Sequence, residues 1–169
     1  MTTVVAERHQ QNVPAGFKLT EEQPNQQEEL TAVIHLKQEN KEELKNKLDA
    51  VSDPKSSEYG KYLTREQVEA MTAAKPEHID AVKSWLSKFQ NIKVDARSDA
   101  VHVTGSLEAL SKVFNTQFGV YESNDGKKHV RINGKAVVPS ELEGVEFVSG
   151  LSELMKIHHG PAIINKLSD

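Results

Sequence analysis

The segment from Leu30 to Leu36 alternates apolar and polar side chains, with Ala32 and Ile34 between the two leucines. An alternation with a period of two is typical of a β-strand that buries one face against a core. Val33 falls on the other side of this alternation, so the second face of the strand is not fully polar. The pattern predicts a strand over 30–36.

Later segments repeat their apolar residues three or four positions apart, which is the spacing of amphipathic helices. Asn40 and Ser106 are residue types that cap helix N-termini. Pro76 opens a predicted helix, at a position where the missing backbone N–H of proline costs little free energy. Trp85 lies beside an apolar stripe, and we expect it to pack in the core or against a loop. The predicted helices cover 40–51, 65–71, 76–90 and 106–114.

The order of the predicted elements indicates the fold class. Ser98 and Asp99 form the turn of a short hairpin, and the run from Asn124 to Gly126 is a strong turn signal. Val145 begins a last strand. Strands and helices in this order predict an α+β fold of the ferredoxin-like, split β-α-β kind, with helices on one face of an antiparallel sheet. The predicted sheet contains 30–36, 92–96, 100–104 and 117–122.

The densest turn and cap signals lie between Ser52 and Met71. Asp53 and Pro54 mark a chain reversal, and Gly60 can adopt a positive φ between two tyrosines. Thr64 and the glutamine three residues later form a capping box. A loop of this kind is either a docking surface or a connector packed on its own core, and both readings stay open. The candidate contact residues in it are Asp53, Pro54, Tyr59, Gly60, Tyr62 and Leu63.

Composition narrows the possible functions. The chain of 169 residues fits one domain with tails, and its net charge of -4 argues against a nucleic-acid partner. The absence of cysteine excludes disulfides and thiolate chemistry, and no apolar run approaches the ~20 residues of a membrane helix. The start of the chain lacks the apolar core of a signal peptide, and the compartment stays unknown.

We expect three parts along the chain. Residues 1–28 are polar and predict a flexible N-terminal arm with Phe17 as its only large anchor. Residues 29–151 hold all the predicted helices and strands and form the domain. Residues 152–169 read as a linker-like C-terminal tail.

No catalytic, cofactor or metal site is expected. The seven histidines are scattered, and the adjacent His158 and His159 would point to opposite sides of an extended chain. The chain contains no G-x-S-x-G, phosphate-binding or dinucleotide-binding motif. Residues 37–40 contain no glycine to cradle an anion, and the predicted strands 92–96 and 100–104 offer no aromatic platform for RNA bases.

Several ordered blocks of sequence carry a resemblance to a known family. Residues 30–151 resemble the activation prodomain of the sedolisin family, the acid serine-carboxyl peptidases, and are most similar to its tripeptidyl peptidase I branch. The blocks are AVSDPKSSEYGKYLTREQVEAM at 50–71, VKSWL at 82–86, LEALSKVFNTQFGVYES at 107–123 and VPSELEGVEFVSGL at 138–151.

The resemblance implies a function that the residues alone do not. In that family the prodomain is ferredoxin-like, assists folding of the peptidase, and blocks its cleft until acid triggers cleavage in the linker. The catalytic residues and the calcium site lie in a separate domain, so this chain is expected not to be an enzyme and to bind a cognate peptidase. Such families are secreted or lysosomal. A free-standing peptidase inhibitor or binding module with the same fold remains the alternative.

The resemblance also implies which parts would touch the peptidase. The 53–63 loop is one expected contact. The tail, including Lys156, His158 and His159, would lie along the cleft as the family's linker does. Acidification would charge the histidines and neutralise carboxylates, so we expect affinity for the peptidase to fall at low pH.

Overall fold

The computed structural model describes residues 1–155 of the chain and combines helices with antiparallel sheets, which confirms the α+β class. Its strands are β1 (Thr2–Arg8), β2 (Phe17–Leu19), β3 (Glu29–Leu36), β4 (Ile92–Ala96), β5 (Ala100–Ser106), β6 (Phe118–Ser123), β7 (Lys128–Ile132), β8 (Gly134–Pro139) and β9 (Val145–Ser149). Its helices are α1 (Lys41–Ser52), α2 (Arg65–Thr72), α3 (Pro76–Leu86) and α4 (Leu107–Val113), and a turn of 3-10 helix covers Gln10–Asn12. Among residues 1–155, no helix is both long enough and apolar enough to span a lipid bilayer.

The main sheet has four strands in the order β4-β5-β3-β9, and neighbouring strands are antiparallel. Ala32 and Ile34 of β3 lie opposite Val103 and Val101 of β5, and all four side chains are buried. The alternating side chains of β3 put these residues on one face because successive side chains of a strand point to opposite sides. The predicted strand over 30–36 is therefore confirmed.

Helices α3 and α4 cover that buried face. Trp85 of α3 lies edge-on to Phe89 and Phe114, with ring centroids 5.6 and 6.3 Å apart. Trp85 and Phe114 belong to the same buried cluster as Ile34 and Val101. The predicted core role of Trp85 is confirmed, and the opposite face of the sheet is left to the surface.

The fourth strand of the main sheet differs from the prediction. Residues 117–122 were expected there, but β6 lies in a separate three-stranded sheet in the order β2-β6-β7, and β9 takes its place. The turn after Ser123 returns the chain directly onto β6, whereas Val148 of β9 pairs with Ile34 of β3. Since β6, β7 and β8 intervene between α4 and β9, the ferredoxin-like detail stays a prediction.

The N-terminal residues also differ from the expected flexible arm. β1 pairs with β8 from Thr2 to Arg8, and β2 pairs with β6. Val5 is buried in the same cluster as Val138. The first strand thus gains backbone hydrogen bonds and apolar burial, which together offset the entropy of ordering the segment.

Candidate partner interface

The loop between α1 and α2 is fixed by its own backbone. The Ser56 amide donates to the Asp53 carbonyl at 2.9 Å, and the Tyr59 amide donates to the Ser56 carbonyl at 3.1 Å. The Gly60 amide donates to the Val51 carbonyl at 2.9 Å, which ties the loop to the last turn of α1. The loop is therefore a defined, hydrogen-bonded feature, as its turn residues predicted.

Gly60 supplies the left-handed conformation that the sequence predicted. Its φ is +76°, and an added Cβ would meet no atom within 4 Å. The requirement for glycine is therefore set by the backbone and not by crowding. Thr64 then closes the loop by capping α2, accepting from the Gln67 amide at 3.2 Å while the Gln67 side chain accepts from the Thr64 amide at 2.9 Å.

A salt bridge holds the loop against α1. The Lys47 Nζ lies 2.5 Å from a carboxylate oxygen of Glu58. This hydrogen bond and the charge of Lys47, with a smaller contribution from Lys61, hold the pKa of Glu58 below its usual value. Glu58 thus stays ionised further into the acid range than an isolated glutamate.

The two tyrosines of the loop point outward. The Tyr59 and Tyr62 side chains are 54% and 69% exposed. The sequence predicts that Tyr59 or Tyr62 packs near Trp85 or the short helix 65–71. The aromatic neighbours of Trp85 are Phe89 and Phe114, and contact of a tyrosine with that helix stays a prediction. Two large exposed rings on a rigid loop are typical of a surface that contacts a partner.

A second surface was not predicted from the sequence. We call it the open sheet face; it is the side of the main sheet opposite α3 and α4. His35 stacks on Phe147 with ring centroids 4.4 Å apart, and its Nε2 lies 2.8 Å from the Ser149 Oγ. Phe147 is 46% exposed. This face also includes Thr31, Val33, His102 and Thr104, placed by their pairing across β3 and β5.

The only sequence signal for this face was Val33, whose position showed that the second side of β3 is not fully polar. The alignment of Val33 with His102 and Ser149 depends on the register between strands far apart in the chain. That register cannot be read from one strand alone.

Two arginines fix the segment that follows β9. The Arg8 Nε donates to the Ser152 carbonyl at 2.8 Å, and the Arg131 Nε donates to the Glu153 carbonyl at 2.7 Å. Burial lowers the pKa of Arg131. Leu151 and Leu154 are buried. Residues 152–154 therefore belong to the packed domain and not to the expected tail, whose candidate contacts Lys156, His158 and His159 lie outside the described residues.

No metal site is found in the part of the chain that the structure describes. Residues 1–155 hold no group of three or more histidine, aspartate or glutamate side chains placed to bind an ion. The described residues instead form two exposed surfaces: the loop with its two tyrosines, and the open sheet face.

Comparison with known proteins gives a consistent assignment. Residues 18–154 match the family described as Pro-kumamolisin, activation domain. Tripeptidyl-peptidase 1 of Mus musculus is 46% identical over 130 residues, which cover 74% of this chain and 23% of that protein. Physarolisin of Physarum polycephalum is 31% identical over 131 residues, 76% of this chain and 23% of its own. Sedolisin of Pseudomonas sp. (strain 101) is 33% identical over 129 residues, 75% of this chain and 22% of its own.

Proposed function

This chain belongs to the Pro-kumamolisin activation-domain family, and from that premise we propose that it acts as the inhibitor and folding chaperone of a sedolisin-type peptidase. The observation that carries the proposal is the family match over residues 18–154. The aligned regions span about a quarter of the length of these relatives, at 23% for both Physarolisin and mouse tripeptidyl-peptidase 1. The partner would be the peptidase domain of such a protein.

The loop 53–63 supports this function through its rigidity and its exposed rings. Hydrogen bonds from Gly60 and the Lys47–Glu58 salt bridge hold the loop in one conformation before any partner binds. Binding through Tyr59 and Tyr62 would then require little further ordering, which favours affinity. Aromatic side chains of this kind often dominate the binding energy of an interface.

The open sheet face supports a second contact. Phe147 and His35 offer a flat aromatic surface, and the threonines Thr31 and Thr104 bond to each other at 2.8 Å farther along the same face. Exposed aromatic area together with hydroxyl groups is a composition found in protein interfaces. A peptidase domain could therefore be held at two places on the prodomain.

An inhibition assay tests the function. The 169-residue chain is mixed with an active sedolisin-type peptidase at near-neutral pH, and hydrolysis of a fluorogenic peptide is followed with time. We expect slow, tight inhibition, and we expect replacement of Tyr59 and Tyr62 by alanine to weaken it about tenfold or more. Leu48→Ala is the control, because Leu48 is an exposed apolar residue, 46% accessible, that lies in α1 and outside the loop.

A truncation tests the tail. We propose that the tail starts at residue 156 and not at 152, because the segment 151–154 packs onto the domain. Removing 156–169 should weaken inhibition while the melting temperature stays unchanged. Equal inhibition by both forms would reject the tail as a contact, and no inhibition by the intact chain would reject the proposed function.

A further inference from the structure

β4 is an edge strand of the main sheet, and half of its backbone groups point away from β5. The Arg97 amide donates to the Ala100 carbonyl at 2.7 Å, which makes these residues a hydrogen-bonded pair at the hairpin end. Such pairs alternate along an antiparallel ladder. Asp95 and Lys93 therefore bond to β5, whereas the N–H and C=O groups of Ile92, Val94 and Ala96 face outward.

This edge is accessible along its length. Residues 93–96 are all exposed, and Val94 is 40% accessible although valine is an apolar residue. Within residues 1–155, β5 is the only strand that pairs with β4. An unpaired edge with an exposed apolar residue and no proline is a template for another strand.

We propose that the partner of this edge is a second copy of the same chain, paired antiparallel about a twofold axis through Val94. In that register Val94 lies opposite Val94 of the second copy, and Ile92 lies opposite its Ala96. All the residues whose backbone groups face outward then meet one another. The two sheets join into one continuous sheet across the edge.

Charge selects this register over its neighbours. With Val94 on the axis, Lys93 lies opposite Asp95 of the second copy, and the same pair recurs on the other side of the axis. A shift by two residues in one direction places Lys93 opposite Lys93, and the opposite shift places Asp95 opposite Asp95. Opposite charges directly across antiparallel strands are favourable, and like charges are unfavourable.

The side chains near the axis agree with this pairing. Asp95 already lies 3.1 Å from the Arg97 Nε within one protomer, and both side chains are exposed. Lys93 of the second copy would therefore extend a row of alternating charges. On the opposite face, the two Val94 side chains would cover each other. The strand is short, so the interface falls in the small size class and the dimer forms at high protein concentration.

Analytical ultracentrifugation of the full chain tests the dimer. At low salt we expect a monomer–dimer equilibrium between about 10 µM and about 1 mM. Lys93→Asp and Asp95→Lys should each weaken the dimer about tenfold, because each places like charges opposite one another. The double variant Lys93→Asp/Asp95→Lys should restore dimerisation, since it exchanges the charges and keeps both pairs between the protomers complementary.

Two further variants test the backbone edge directly and control for the change of charge. Val94→Pro removes an outward N–H that β5 does not use, so it should abolish the dimer while circular dichroism stays native. Lys127→Asp changes the same charge in the β6–β7 turn and should leave the dimer unchanged. The proposal is overturned if the full chain stays monomeric throughout this concentration range. It is also overturned if a dimer forms and the charge substitutions do not change its affinity. If the chain is monomeric but Val94→Pro abolishes peptidase inhibition, the edge belongs to the peptidase instead.

Discussion

At the scale of single residues, the loop 53–63 depends on the backbone of Gly60. Its φ of +76° strains a β-branched side chain, although the space beside it is open. We expect Gly60→Val to lower the free energy of unfolding by about 1–3 kcal/mol. Urea unfolding of the two proteins measures the difference. Gly60→Asn is the matched control and should lose less, because asparagine tolerates the left-handed region; equal losses would contradict the backbone explanation.

Glu58 makes the stability of the loop depend on pH. Because Lys47 lowers the pKa of Glu58 in the folded chain from the ordinary 4.5, the unfolded chain takes up the proton first on acidification. The stabilisation is therefore present above the ordinary pKa and is lost as pH falls through the lower, folded value. Melting temperatures of the parent and Glu58→Gln should differ at neutral pH and converge in acid. In a Lys47→Met background the Glu58→Gln difference should nearly vanish.

At the scale of elements, β1 is a structural strand of the domain. It pairs with β8 and places Arg8 where its Nε donates to the Ser152 carbonyl. Deleting residues 1–8 should remove both the pairing with β8 and the hydrogen bond from Arg8, and we expect the melting temperature to fall by about 5–10 °C. Differential scanning calorimetry measures the shift. A truncated chain that melts like the parent would restore the interpretation of residues 1–28 as a flexible arm.

Local signals predicted elements better than they predicted strand partners. The capping box at Thr64 and the alternation of β3 are contained in a few neighbouring residues, and both are confirmed. β1 was missed because its register shifts between Val4 and Ala6, which breaks the period of two. The exchange of β6 for β9 was missed because both segments are rich in the valine and aromatic residues that favour strands, and only pairing over long separations decides between them.

Of the two candidate contact surfaces, one could be predicted from neighbouring residues and the other could not. The loop 53–63 was predicted because proline, glycine and the cap residues define it within a short stretch. The open sheet face needs β3, β5 and β9 together, so the contact between His35 and Phe147 could not be predicted before their strands were paired. Even a local signal can predict the wrong contact. The side chain of Asn40 was expected to cap α1, but it donates to the Met71 carbonyl at 2.9 Å and makes no capping hydrogen bond.

At the scale of the whole molecule, the proposed function predicts that acid releases this chain from the peptidase domain. The chain has seven histidines and 25 acidic residues, so at the ordinary pKa values of these residue types acidification from about pH 7 to about pH 4 adds positive charge. The net charge then changes from -4 to strongly positive, and a carboxylate that pairs with a basic group of the proposed peptidase would lose that pair on protonation. We expect the dissociation constant to rise steadily over this range.

The measurement pairs the dissociation constant with the melting temperature at each pH. Weaker binding by a chain that stays folded indicates a change at the interface. If the affinity and the melting temperature fall together as the pH is lowered, release follows from partial unfolding of the chain. Constant affinity down to about pH 4 with a folded chain would place the acid response in the peptidase.

The aromatic residues divide between core and surface in a way that gives the chain two built-in optical reporters. The single tryptophan, Trp85, lies among Phe89 and Phe114 in the core, so its emission shifts to longer wavelength only when water reaches that cluster. Tyr59 and Tyr62 lie on the exposed loop, so their absorbance responds to a partner that covers them while the core is intact. In the isolated chain, the fluorescence of Trp85 can therefore show whether acid opens the core, independently of changes around the two exposed tyrosines.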